Sequence, residues 1–96
     1  MSIEDDLHLG GRAREVLENE AYIAAFDAIK QELIGKWENS PVRDEDGREK
    51  LWLMLWSLNK VQAALSATMD SGKLARAELN HRQSLADRAK SWAGVA

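Results

Sequence analysis

The chain has 96 residues and a net charge of −3, with 45% hydrophobic and 30% charged residues, a composition that indicates one folded domain and excludes a disordered chain. It has no cysteine, which excludes disulfides and thiolate metal sites. A single proline and an abundance of Ala, Leu, Glu, Lys and Arg favour helix over strand, so we predict an all-α fold.

The chain begins with the acidic stretch MSIEDDLHLGG. A signal peptide needs a basic start and an apolar run, so we expect none here. The Gly10-Gly11 pair is typical of a chain break, which predicts a flexible N-terminal lead over residues 1–11. No stretch approaches 18 apolar residues, so we also expect no membrane-spanning helix.

The first strong helical pattern covers about residues 12–38. Its apolar residues recur at spacings of three and four, which places them on one helix face. They are Tyr22, Phe26, Ile29, Leu33 and Trp37. Asn19 can cap a new helix, so the pattern is compatible with one helix or with two that meet near Asn19.

Ser40-Pro41 ends this pattern, because the residue before a proline avoids the helical conformation. Asp44 then suits the cap of a second helix over about residues 45–70, which Ser71-Gly72 is predicted to end. The short connection predicts that the two helices pack as an antiparallel hairpin. A third, basic C-terminal helix is predicted over residues 73–96, which makes the single domain bundle-like.

The run LWLMLW at residues 51–56 is more apolar than one buried face requires. The face of the second helix that we expect to close the hairpin consists of Leu51, Met54, Leu55, Leu58, Val61, Leu65 and Met69. Trp52 and Trp56 lie beside that face, and Ala63 and Ala67 continue their line. These four residues form the predicted partner interface. The third helix, a second copy of the chain or a different protein can cover it.

Charge is distributed unevenly, with a net −4 over residues 1–20 and a net +3 over residues 73–96. This asymmetry favours head-to-tail contact within or between chains, or reflects ordinary solvated helix faces. The basic residues of the C-terminal segment form a candidate contact surface for nucleic acid, with Trp92 able to stack on a base. They are Lys73, Arg76, Arg82, Arg88 and Lys90.

No motif in the sequence predicts chemistry. His8 and His81 are far apart, and Asp44, Glu45 and Asp46 lack the remainder of a calcium-binding loop. No serine stands beside a histidine, and there is no glycine-rich phosphate loop. We therefore predict a protein that is not an enzyme and that has no catalytic residue, metal site or cofactor.

Three stretches resemble small all-helical proteins encoded in tailed phages and prophages: LENEAYIAAFDAIKQELIGKWENSP, GREKLWLMLWSLNKV and SGKLARAEL. The resemblance covers about two-thirds of the chain and is most specific around the turn WENSP. It implies a gene of a virion structural or packaging region, with no known catalytic motif. It also implies a location in the cytoplasm of a bacterial host or in the virion.

The sequence as a whole predicts a non-enzymatic interaction protein that self-associates or docks on a larger virion or packaging assembly. Its partner is then a second copy of the chain or a phage structural protein. One alternative is a small phage-encoded regulator or inhibitor of a host protein, whose acidic N-terminal segment mimics nucleic acid. A second alternative is a nucleic-acid-binding accessory that uses the basic C-terminal helix.

Overall fold

The computed structural model describes residues 2–95, with only the backbone of Val95. Three helices make up almost all of this range: α1 (Ile3–Glu18), α2 (Glu20–Glu38) and α3 (Glu45–Val95). None of the described residues lies in a strand. The prediction of an all-α fold is therefore confirmed.

Helix α1 begins where a flexible lead was predicted. The Ser2 side chain caps it by accepting a hydrogen bond from the Asp5 backbone N–H at 3.2 Å. Acidic residues fill its first turn, where they complement the positive end of the helix dipole. Residues 3–11 thus form the first half of a helix that includes both glycines, and Met1 lies outside the described residues.

Helices α1 and α2 are separated by the single residue Asn19. Its backbone is extended, and its side chain accepts a hydrogen bond from the Tyr22 backbone N–H at 3.0 Å. This is the geometry of an N-cap. Of the two arrangements that the sequence left open, the structure therefore has two helices that meet at Asn19.

The turn between α2 and α3 is held by a small polar cluster. The Ser40 hydroxyl donates to the Trp37 carbonyl at 2.6 Å, and one Arg48 nitrogen donates to the Ser40 oxygen Oγ at 3.0 Å. The Arg48 guanidinium also lies 4.3 Å from the centre of the Trp37 ring. Asp44 caps α3 by accepting a hydrogen bond from the Gly47 N–H at 3.0 Å, as predicted.

Helix α3 contains 51 residues and runs through the predicted break. The prediction that one helix ends at residue 70 and another begins at residue 73 is therefore wrong. Ser71 and Gly72 are interior helical residues, and no described glycine has a positive φ. The basic segment 73–95 is thus the second half of α3, and Ala96 lies outside the described residues.

Helices α1 and α2 lie along α3 in the antiparallel direction. Trp37 is beside Arg48, Leu33 and Leu58 border the same groove, and Gly10 contacts Gly72. The hairpin direction agrees with the prediction, but the molecule is long and thin, with extents of 80 × 25 × 18 Å. Its radius of gyration is 21.9 Å, compared with about 13 Å for a compact domain of this size.

Gly10 of α1 and Gly72 of α3 form a close contact between the two helices. A Cβ atom added to Gly10 would lie 2.6 Å from the Gly72 Cα, and one added to Gly72 would lie 2.8 Å from the Gly10 Cα. Ala13 and Ala75, near this crossing, are the only buried apolar side chains among the described residues. The core is therefore a narrow seam of small residues in which α1 and α3 approach backbone to backbone.

Candidate interaction face

Most large apolar side chains of this protein remain in contact with solvent. Trp52 is 56% exposed and Trp56 is 51% exposed, and Ala63 and Ala67 are also exposed. At 100° per residue, these four side chains project from α3 within an arc of about 60°. The structure therefore brings the four predicted interface residues together on one side of a single helix.

Exposed apolar residues continue along this side of α3 well beyond the four predicted ones. Leu74, Leu85 and Trp92 fall in the same direction, and all three are exposed. We call the full set the outer stripe: Trp52, Trp56, Ala63, Ala67, Leu74, Leu85 and Trp92. The predicted break at Gly72 concealed its second half. The recurrence of Trp52, Ala63, Leu74 and Leu85 every eleven residues, or about three helical turns, was the signal that could have revealed it.

The continuity of α3 determines what can cover the outer stripe. A third helix that folds back would have placed Leu85 and Trp92 over Trp52 and Trp56 within one chain. Instead, all four side chains lie along the same straight helix, and every residue from 80 to 94 is exposed. Within the described chain, no helix covers the tryptophans and leucines of the outer stripe, and α1 reaches it only at Ala67, beside Asp6 and Leu9.

A second apolar surface lies between α2 and α3, about 140° around α3 from the outer stripe. Met54 and Val61, which we predicted to face the hairpin core, are each 56% exposed there. That prediction is wrong for these two residues, because the single helix α2 covers a narrower arc of α3 than expected. The surface is a shallow groove lined by Ile29, Leu33, Leu53, Met54, Ser57, Leu58 and Val61.

The five basic residues of the predicted nucleic-acid surface do not share one side of α3. Lys73 and Arg76 line a groove beside α1, together with Arg14. Arg82 instead forms an ion pair with Glu78 at 2.6 Å. Arg88 and Lys90 are exposed and project about 160° apart around the helix. A continuous basic strip is therefore not formed.

All four ion pairs found among the described residues join positions three or four apart on one helix. The hydrogen bond and the negative charge of Glu18, 2.9 Å from the Arg14 Nε, raise the pKa of Arg14. No ion pair joins α1 to α3 in residues 2–95, although α1 is acidic and the second half of α3 is basic. The predicted head-to-tail attraction is therefore not satisfied by ion pairs within the chain.

The described residues contain no cluster of three or more His, Asp or Glu side chains able to hold a metal ion. Within the same range, no helix is sufficiently long and apolar to cross a membrane. No family model, curated protein or solved structure matches this chain. The functional argument therefore depends on the geometry of the outer stripe.

Proposed function

We propose that this protein is a non-enzymatic helical assembly element that associates through the outer stripe of α3. The observation that supports the proposal is the straight, uncovered line of three tryptophans and two leucines along a single helix. Isolated exposed apolar residues are common on protein surfaces. Five large exposed apolar side chains on one side of a single helix, with Trp52 and Trp56 one turn apart, instead indicate an interaction site.

Covering Trp52 and Trp56 contributes a large free energy for a chain with so small a core. About half of the Trp52 side chain and half of the Trp56 side chain are in water, which corresponds to roughly 75–125 Å² each. Covering that area contributes on the order of 2–3 kcal/mol per residue before the entropic cost of association. Ala13 and Ala75 are the only buried apolar side chains of the described chain and the large apolar side chains of the hairpin are half-buried or exposed, so covering the two tryptophans adds appreciably to the apolar area removed from water.

The phage resemblance suggests where such an element would act, namely in a virion or packaging assembly. That part of the proposal depends on the three sequence stretches that carry the resemblance, and the geometry of the outer stripe does not depend on it. An assembly role in a virion or in a packaging assembly requires the same property, namely an exposed apolar helix face that a partner covers.

The two alternative functions have weaker support from the structure. Mimicry of nucleic acid needs free carboxylates, and two of the six in residues 1–20, Glu15 and Glu18, are paired with Arg12 and Arg14. A nucleic-acid-binding role needs a basic strip, whereas the basic residues of α3 are dispersed around the helix. Both proposals remain open to direct binding measurements at low salt.

The experiment that tests the proposal is the molar mass in solution, measured by light scattering across a wide concentration range. The Trp52→Gln/Trp56→Gln variant should be a folded monomer of unchanged helicity where the wild type is an oligomer. A matched control is Met54→Gln/Val61→Gln, which alters two equally exposed residues on the other side of α3. A wild-type monomer that also binds no partner, or an oligomer unaffected by the tryptophan changes, contradicts the proposal.

A further inference from the structure

The outer stripe carries charges as well as apolar side chains, and their order along α3 is informative. Seven charged or titratable residues project within the same arc of about 80°. They are Glu45, Glu49, Lys60, Asp70, Glu78, His81 and Arg88, and all of them are exposed. The end of the stripe near the turn is thus acidic, whereas its far end carries Arg88.

This order disfavours one arrangement of two copies. In a parallel, in-register pair of α3 helices, every residue of the stripe meets its own counterpart. Glu49 would then face Glu49 and Arg88 would face Arg88. Such pairs of like charge are destabilising. In a parallel pair, repulsion at both ends of the stripe would therefore offset part of the free energy gained by burying its apolar side chains.

An antiparallel pair centred between Thr68 and Met69 has the opposite property. Trp52 of one copy then faces Leu85 of the other, and Ala63 faces Leu74. At the ends, Glu49 faces Arg88, so opposite charges meet. In the same register, Lys60 of one copy lies opposite residue 77 of the other, one position from Glu78, which gives another pair of opposite charge. Two apolar contacts and two contacts between opposite charges thus coincide in a single register, in which Trp56 faces His81.

The register also accounts for the uncovered end of α3. Residues 80–94 extend beyond α1 and are all exposed. In the antiparallel pair, this segment lies along residues 43–57 of the second copy, over Trp52 and Trp56. Each copy therefore covers Trp52 and Trp56 of the other with a segment that has no packing partner among the described residues of its own chain.

The available area is adequate for such a dimer. The three tryptophans of the stripe expose on the order of 400 Å² per copy, with Trp92 alone 80% exposed. Leu74, Leu85 and the two alanines add to this, and about 800 Å² per partner is typical of a stable interface. Helix α1 borders the stripe only at Ala67, where Asp6 and Leu9 line a small pocket with it, and the exposed tryptophans and leucines of the stripe lie clear of this contact.

From these observations we propose that the partner of the outer stripe is a second copy of this chain, paired antiparallel through α3 in this register. The inference rests on the proposed function, since it names the occupant of the same stripe. Some contacts in this register are unfavourable, because Trp92 faces Glu45, Ala67 faces Asp70, and the two Asp70 carboxylates lie near the two-fold axis. Replacing Asp70 by Asn should therefore tighten the dimer.

Charge reversal tests the contact between the ends of the stripe. Glu49→Arg and Arg88→Glu should each weaken dimerisation about tenfold at low salt, since the two-fold symmetry makes each change act twice. The double variant that exchanges the charges should recover most of the loss. Asp87→Lys is the control, because Asp87 is adjacent to Arg88 in sequence and projects about 100° away from it.

Spin-label distances test the direction of pairing, and the absence of cysteine makes single labelling sites straightforward to introduce. Labels at Ala77→Cys and Ser84→Cys occupy exposed positions beside the stripe, about 20° and 40° from its nearer edge. In the antiparallel register, the two copies of each label are offset along the helix axis by about 26 Å and about 47 Å respectively. A parallel pair would give the same short separation at both positions.

The outcomes separate the two proposals. Distances that increase from Ala77 to Ser84, together with recovery in the charge-exchanged variant, support the antiparallel dimer. Equal short distances in a dimer that requires Trp52 and Trp56 overturn the antiparallel register and leave the proposed function intact. Labels that show no dipolar coupling, in a protein that light scattering finds monomeric, overturn the antiparallel dimer.

Discussion

Substituting alanine for Gly10 tests whether the seam between α1 and α3 depends on a backbone-to-backbone contact. The new Cβ would lie 2.6 Å from the Gly72 Cα, 3.1 Å from the Gly72 nitrogen and 3.2 Å from the Thr68 carbonyl oxygen. Carbon atoms in contact normally lie about 3.5–4.0 Å apart, so the helices must separate by about 1 Å. No rotamer change relieves the contact, since all three atoms belong to the backbone.

Two opposing effects determine the size of the change. Overpacking of this kind costs about 1–3 kcal/mol, whereas replacing a helical glycine by alanine contributes roughly 0.5–1 kcal/mol. We expect Gly10→Ala to lower the free energy of unfolding by about 1–2 kcal/mol in total. In a chain of this length, that corresponds to a decrease in Tm of roughly 5–10 °C.

The neighbouring glycine provides a matched control. A Cβ added to Gly11 meets nothing within 4 Å, so Gly11→Ala should raise the free energy of unfolding by about 0.5–1 kcal/mol. Both variants are compared by urea denaturation monitored by circular dichroism, at one protein concentration because association contributes to stability. If Gly10→Ala is as stable as Gly11→Ala, the proposed close contact is refuted.

Three further predictions concern the turn and α2. Asp44→Ala should lower the free energy of unfolding, measured by urea titration, by about 1 kcal/mol, because the α3 cap is lost. The control Asp46→Ala, in the same turn, should lower it by less. Arg48→Lys should lower the free energy of unfolding by roughly 0.5–1 kcal/mol, because an ammonium group does not reproduce the stacking of the guanidinium on Trp37. An unchanged urea midpoint would contradict this contact. Tyr22→Phe should be neutral or raise Tm, because the buried Tyr22 hydroxyl has no hydrogen-bond partner among the described residues; a loss above about 1 kcal/mol would show that the hydroxyl is bonded.

Several local features were predictable from the sequence alone. Asn19 and Asp44 are short polar residues placed just before apolar helical patterns, and both act as N-caps in the structure. The turn at Ser40-Pro41 and the antiparallel direction of the hairpin follow from equally local rules. The caps depend on hydrogen bonds between residues three apart, and the turn depends on contacts within residues 37–48, so nearby residues contain the necessary information.

The candidate interface was predictable only in part. Trp52 and Trp56 stood out because the LWLMLW run has more apolar surface than one face can bury, and the structure leaves both exposed. Leu74, Leu85 and Trp92 were assigned to a separate helix, so their alignment with the tryptophans was missed. The alignment exists only if α3 is continuous, and the sequence around Gly72 indicated the opposite.

The sequence by itself determined the all-α character, the caps, the turn and the exposed tryptophans. Only the tertiary structure decided the role of the glycines. A glycine at a helix end and a glycine under a crossing helix are identical in sequence, since both lack a Cβ. Gly10 and Gly72 were each expected to end a segment, but the two residues contact each other. A Cβ added to Gly10 would lie 2.6 Å from the Gly72 Cα. That contact joins residues far apart in the chain, so no local pattern in the sequence specifies it.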